Sequence, residues 1–195
     1  LGTSRVEVGL RPDHKVFTNY NCYNLGISGA NIYELLRYLQ HAHSTNNLET
    51  VVLEVDFYSF NIFRKNRGDF NQKILSLDEN DNKTKDYKSP LTAMLSLDTF
   101  FSSIKTIKGQ GKIDKRGTKY LQNGRRYYEH SKFVVSNGGH RKLFIDNEIS
   151  YIKKIWFPNG SFEFYNPVTN ISSFDYYQKL LRFAYKNDID LRIIT

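Results

Sequence analysis

At 195 residues, with 39% apolar and 15% aromatic side chains, the chain is long enough to bury the core of one domain and is not disordered. Its 28 Lys and Arg against 20 Asp and Glu give a net charge of +8, which favours an anionic partner or surface without specifying which. A single cysteine, Cys22, excludes an internal disulfide; no apolar run approaches the ~20 residues of a membrane-spanning helix, and none reads as a signal peptide.

The opening Leu1-Gly2-Thr3-Ser4 reads as the end of a strand handing over to a turn, with Gly2 allowing a tight path and Ser4 exposed beyond it. Such a serine is a nucleophile only where a base takes its proton and amides meet the oxyanion; otherwise it caps a turn. Residues 15–20 alternate, with β-branched or aromatic side chains at several positions, and predict a short strand before a turn at Gly26. Ser28 or Asn31 then caps a helix whose Ile32, Leu35, Leu36 and Leu39 form one apolar stripe, ending near His43 and Ser44. Residues 50–55 are a near-continuous apolar run, as a parallel strand buried on both faces requires. Strand, helix and strand at this spacing predict a right-handed βαβ unit.

From 61 to 88 the sequence turns polar and predicts a long loop or lid, mobile around 78–88. Ser89-Pro90 is a helix start, with Leu91, Met94, Leu95, Phe101 and Ile104 as its buried side. Residues 107–167 read as an insertion of loops and hairpins over the sheet edge or catalytic face, punctuated by Asn123-Gly124, Asn137-Gly138-Gly139 and Asn159-Gly160. Within 107–132, eight basic residues against Asp114 and Glu129 leave a net +6. Arg125 and Arg126 lie among Tyr120, Tyr127, Tyr128 and Phe133, a pattern that can meet phosphates and stack on bases or sugars. No nucleic-acid-binding motif accompanies it, and a solvated face explains the charge equally well. The chain returns to the core with a helix capped by Ser173, with Phe174, Tyr177, Leu181 and Ala184 on one face, and a strand over 189–194.

Three blocks in order, GTSRVEVGL from Gly2, YNLGISGANIYELLRYL from Tyr23 and VVLEVDFYSFN from Val51, resemble the SGNH (GDSL-like) hydrolase superfamily, and within it the cell-envelope branch of DltD-like and alginate-acetylation-type proteins. The resemblance covers roughly residues 1–61. It implies a three-layer α/β/α sandwich with a flavodoxin-like parallel sheet, Ser4 as nucleophile and Gly26 as oxyanion donor. Asp56 stands where that superfamily has its oxyanion Asn in Gly-x-Asn-Asp, and no Asp-x-x-His block for the base occurs in this chain. His14, His41, His43, His130 and His140 all lie outside such a block; His41 and His43 end a helix, where a cation suits the dipole. The chain therefore reads as the middle of a longer protein, with a base-bearing loop after Thr195 and room for a membrane anchor before Leu1.

The implied activity is serine esterase or O-acyl transfer on an acylated envelope glycan or other small ester, outside the cytoplasm and without a cofactor or metal. Arg5 would orient an anionic or polyol substrate, or else cover the sheet edge. The alternative is a non-catalytic relative that uses Arg125 and Arg126 in a basic groove for an anionic polymer, with no nucleic acid expected.

Overall fold

The computed structural model describes residues 1–83, 104, 118–128, 130–155 and 162–195. They form a mixed α/β chain in the order α1 (Ser4–Gly9), α2 (Ile32–Asn46), β1 (Thr50–Glu54), β2 (Thr118–Tyr120), β3 (Arg126–Tyr128), α3 (His130–Ser136), α4 (His140–Ile155), β4 (Tyr165–Asn166), β5 (Ile171–Ser172), α5 (Ser173–Lys186) and β6 (Asp190–Ile194).

The centre is a small parallel sheet. β1 pairs with β6 from Thr50 opposite Asp190 to Glu54 opposite Ile194. On the other side of β1, Leu1 N donates to Val52 O and Glu54 N to Leu1 O, both at 2.9 Å. Gly2 in turn bridges Gly26 in parallel, with Ile27 N donating to Gly2 O at 2.8 Å. The lateral order is therefore 26–27, 1–2, β1, β6, with every pairing parallel.

Parallel neighbours need crossovers, and two helices with firm starts supply them. Asn31 Oδ1 accepts from Glu34 N and Glu34 Oε2 from Asn31 N, each at 2.9 Å, a reciprocal capping box that fixes the first turn of α2. α2 ends at Asn47, whose φ of 46° is left-handed. Ser172, one residue earlier than expected, caps α5 with Asp175 in the same reciprocal arrangement. Of the expected stripe on α5, Ala184 is buried and Tyr177 and Leu181 pack against the core, but the deepest burial is shifted by one position. Leu180, Phe183 and Ala184 are buried, whereas Phe174 is exposed. They pack with Ile32, Leu35, Leu36 and Leu39 of α2 and with Val51, Leu53 and Ile189. A fully buried leucine contributes about 2 kcal/mol by transfer from water, so this α2–sheet–α5 layer is the main source of stability among the described residues.

One local reading changes and another gains detail. Residues 15–20 form no strand: Lys15–Phe17 is a 3₁₀ turn capped by His14, whose Nδ1 accepts from Val16 N at 3.3 Å. Val16 is 66% exposed, because β-branched residues make a strand only where a neighbouring strand covers them. Residues 61–83 form a long loop, as the sequence predicts, broken by the 3₁₀ turn Gln72–Ile74, and the loop is anchored to the core. Leu75 and Leu77 are buried, and Arg37 of α2, 2% exposed, donates to Gln40 Oε1 at 2.7 Å and to the carbonyls of Leu77 and Asp78. Asp78 Oδ1 then accepts from Asn80 N and Asn82 N at 2.8 and 2.9 Å. Two leucines among many charges staple the segment down. The expected mobility over 84–88 and the helix from Ser89-Pro90 fall outside the described residues, Ile104 excepted.

The stretch 107–167 holds one hairpin where Asn-Gly predicts it and helices where another such signal does not. β2 and β3 are antiparallel around Asn123-Gly124, with Gly124 at φ 78°. Asn137-Gly138-Gly139 instead closes α3: Gly139 N donates to Val134 O at 2.9 Å, and both glycines take the positive φ that ends helices. α4 follows in place of the expected loops and hairpins. Gly-rich turn chemistry serves hairpins and helix ends alike, and only the pairing partner decides between them. A short second hairpin, β4 with β5, leads into α5. Asn159-Gly160 lies outside the described residues. Among the described residues, no helix is long and apolar enough to cross a membrane.

One pH effect follows from α2. His41 Nδ1 lies 2.9 Å from Ser76 Oγ and accepts from Ser76 N at 3.2 Å, and burial pushes its pKa below the ordinary histidine value. With the folded pKa depressed, the unfolded chain binds the proton first, so stability is full above the unfolded value of about 6.5 and falls as pH drops below it. Urea midpoints measured between pH 7.5 and about 5 should decline, and His41→Gln should flatten that decline. An unchanged slope in the variant would assign it to other groups.

Candidate active site

Three turns leave the carboxyl ends of the parallel segments, the edge at which open α/β sheets place their ligands. They are residues 3–5 after Gly2, 28–31 after Ile27 and 55–56 after β1.

The first turn is held by a charge at the end of an apolar strand. Glu54 is 3% exposed, and a buried carboxylate must be met by donors. Its Oε2 accepts from Thr3 N at 2.7 Å and Thr3 Oγ1 at 2.9 Å, and its Oε1 from Arg5 Nη2 at 2.6 Å. Thr3 and Arg5 are thereby fixed on either side of Ser4. Ser4 itself is exposed, opens α1, and its hydroxyl makes no hydrogen bond among the described residues. Gly2 is required just before it, since a Cβ there would stand 2.7 Å from Glu54 Cβ and 2.6 Å from Val6 Cγ2.

Gly26 sits against α1: a Cβ on it would stand 2.1 Å from Glu7 N and 2.4 Å from Glu7 Cα. Its amide donates to Asn24 Oδ1 at 2.8 Å. Asn24 Nδ2 reaches the end of α1, donating at 2.7 Å to Val6 O, which also accepts from Leu10 N at 3.2 Å, and at 2.8 Å to Leu10 O just past the helix. Ser28 Oγ donates to Glu7 Oε2, and Arg126 Nη1 lies 3.6 Å from the same oxygen. Ser4 thus opens α1 and Gly26 lies against the Val6–Glu7 backbone of the same helix, with the Gly26 amide engaged.

Asp56 is placed beside this turn but in a different role from the Asn of the family pattern. Its Oδ1 accepts from Tyr58 N at 2.8 Å, starting the 3₁₀ turn Phe57–Phe60, and its Oδ2 lies 3.6 Å from Arg5 Nη2. An ionised carboxylate only accepts, so it offers an oxyanion no donor. Arg5 sits between two carboxylates, which leaves little positive field for an anionic substrate.

Arg125 and Arg126 belong to the β2–β3 hairpin that docks on α1. Asn24 N donates to Asn123 O at 2.8 Å, and Gly124 has no room for a side chain against Asn24 O and the Tyr23 ring. Arg125 Nε donates to Val8 O at 3.5 Å while Arg126 faces Glu7, so both are drawn onto the helix. Among the described residues, the hydrogen bonds of His14, His41 and His43 go to groups other than Ser4. His14 caps its turn, His41 meets Ser76, and His43 Nδ1 accepts from Leu48 N at 3.1 Å while lying edge-on to Phe183. His41 and His43 are about 15–18 Å along α2 from its capped end, at 1.5 Å per residue. The side chain of His130 lies outside the described residues, and His140 is exposed. Among the described residues, no group of three His, Cys, Asp or Glu could hold a metal ion.

Sequence reasoning missed Thr3, Glu7, Asn24 and Glu54. One signal was available: Glu54 interrupts an apolar strand, and a charge at a buried position demands partners. Nothing periodic marks Asn24. No family model, curated protein or solved structure matches the chain, so its residues and their geometry carry the functional reading.

Proposed function

We propose that the chain carries an SGNH-type serine site in a flavodoxin-like three-layer α/β/α sandwich, and that it hydrolyses or transfers an acyl ester of an envelope glycan through Ser4. The observation that supports it most is the unengaged, exposed hydroxyl of Ser4 on the turn leaving a parallel segment, pinned on both sides by Glu54 through Thr3 and Arg5. The lateral order of the four parallel segments accords with the fold part of the proposal.

In the reaction, Ser4 Oγ attacks the ester carbonyl carbon as its proton passes to a base. The tetrahedral intermediate then expels the alcohol, which takes up that proton, and leaves the acyl group on Ser4. Water or a sugar hydroxyl takes the acyl group in the second half. The Ser4 amide has no partner within its helix and is the donor nearest the developing oxyanion. The Gly26 amide joins it only if it exchanges Asn24 Oδ1 for the substrate oxygen. None of the rings of His14, His41 and His43 is bonded to Ser4, so no base is assigned among them. The binder alternative has less support, because Arg125 and Arg126 are held on α1.

A fluorophosphonate probe tests the assignment in the full-length protein. Displacement of fluoride by Ser4 Oγ should leave a phosphonyl adduct on the peptide bearing Ser4, seen by mass spectrometry. An adduct only on another residue, or none on that peptide, would overturn the reading.

A further inference from the structure

A cleft of about 330 Å³ opens between the first turns of α2 and α5, at the small end of ligand-sized pockets. Neither Ser4, Gly26 nor Asp56 lines it. Ser59 does. It is 1% exposed, and its Oγ has no hydrogen-bond partner among the described residues. A buried hydroxyl left unpaired costs about 1–3 kcal/mol, which a hydroxyl or amide arriving from the cleft would relieve.

The other lining groups specify what would arrive. Tyr33 and Tyr176 stand with ring centroids 4.9 Å apart and tilted by 59°, giving an aromatic wall. Burial pushes both phenols above their ordinary pKa, so both remain neutral hydroxyls. Asn61, Gln72 and Thr169 add carboxamides and a hydroxyl, groups that donate and accept alike. Arg64 and Glu79 contribute one charge of each sign, and the Glu79 carboxylate disfavours an anion. Mixed donor–acceptor groups around an aromatic wall, with no net charge, match a ligand that carries many hydroxyls and one apolar face.

We propose that this cleft binds a neutral pyranose sugar, with Ser59 Oγ taking one sugar hydroxyl and the Tyr33 and Tyr176 rings meeting its C–H face. The proposal does not depend on Ser4 being a nucleophile.

The test is an amide NMR titration of the full-length protein with glucose, galactose, mannose and N-acetylglucosamine, with inorganic phosphate as the charged comparison. At least one sugar should shift the resonances of Ser59 and Tyr176 saturably, with a dissociation constant in the millimolar range. Ser59→Ala removes only an unpaired hydroxyl, so the fold should persist while the affinity falls at least threefold. Thr169→Ala, on the exposed side, should weaken binding without touching the core. Ser4→Ala should leave sugar binding unchanged whether or not it loses ester turnover. Shifts from phosphate alone, from no sugar, or from a sugar whose affinity ignores both Ser59→Ala and Thr169→Ala would overturn the proposal.

Discussion

Ser4→Ala in the full-length protein should lower turnover of a small activated ester by ~10⁴-fold or more, because removing a nucleophile eliminates the covalent route and leaves only binding and oxyanion contributions. Stability should barely move. Ser4 is exposed at the first position of a six-residue helix and its hydroxyl touches no described partner, so a change within ~0.5 kcal/mol is expected. The two readouts separate chemistry from folding. Equal ester turnover in wild type and Ser4→Ala, with equal melting temperatures, would remove Ser4 from the mechanism. A large fall in melting temperature would instead show that the serine is structural.

Gly26→Ala should be the most destabilising single methyl added at this end of the sheet. Overpacking by a methyl usually costs ~1–3 kcal/mol, because side chains can turn away. Here the obstacle is backbone. The new Cβ would stand 2.1 Å from Glu7 N, so either α1 or the 26–27 segment must move. Moving α1 pulls Val6 O and Leu10 O from Asn24, and moving residue 26 pulls the bridge from Gly2. We expect a loss of about 3 kcal/mol or more, read as a lowered denaturant midpoint at unchanged m-value. Gly9→Ala is the control, since nothing lies within 4 Å of a Cβ there. Equal midpoints for Gly26→Ala and Gly9→Ala would show that the close approach of Gly26 to α1 is not held in solution.

Such close approaches divide what can be read from the chain alone from what cannot. Asn31 as a cap, the stripe of Ile32, Leu35, Leu36 and Leu39, and the apolar run of β1 were legible because each is a local pattern that its element buries, and β6 was legible as a strand although most of its residues are exposed. The Asn123-Gly124 hairpin was legible for the same reason. Residues 15–20 and Asn137-Gly138-Gly139 were not, since strand composition and turn chemistry each suit two structures. In the candidate site, the position of Ser4 at the turn leaving a strand was legible, but the helix it opens and its surroundings were not.

By itself the sequence determined a basic mixed α/β chain with two capped helices, two parallel strands and a serine after the first Gly. Only the tertiary structure decided that Glu54, 49 positions from Arg5, closes the serine turn. It likewise decided that Asn24 occupies the Gly26 amide, that Arg125 and Arg126 face α1, and that Ser59 lies unpaired in a cleft. The physical reason is common to all four. Burial periodicity is written in neighbouring residues, whereas a hydrogen bond between segments depends on how strands register and which groups that register leaves unsatisfied.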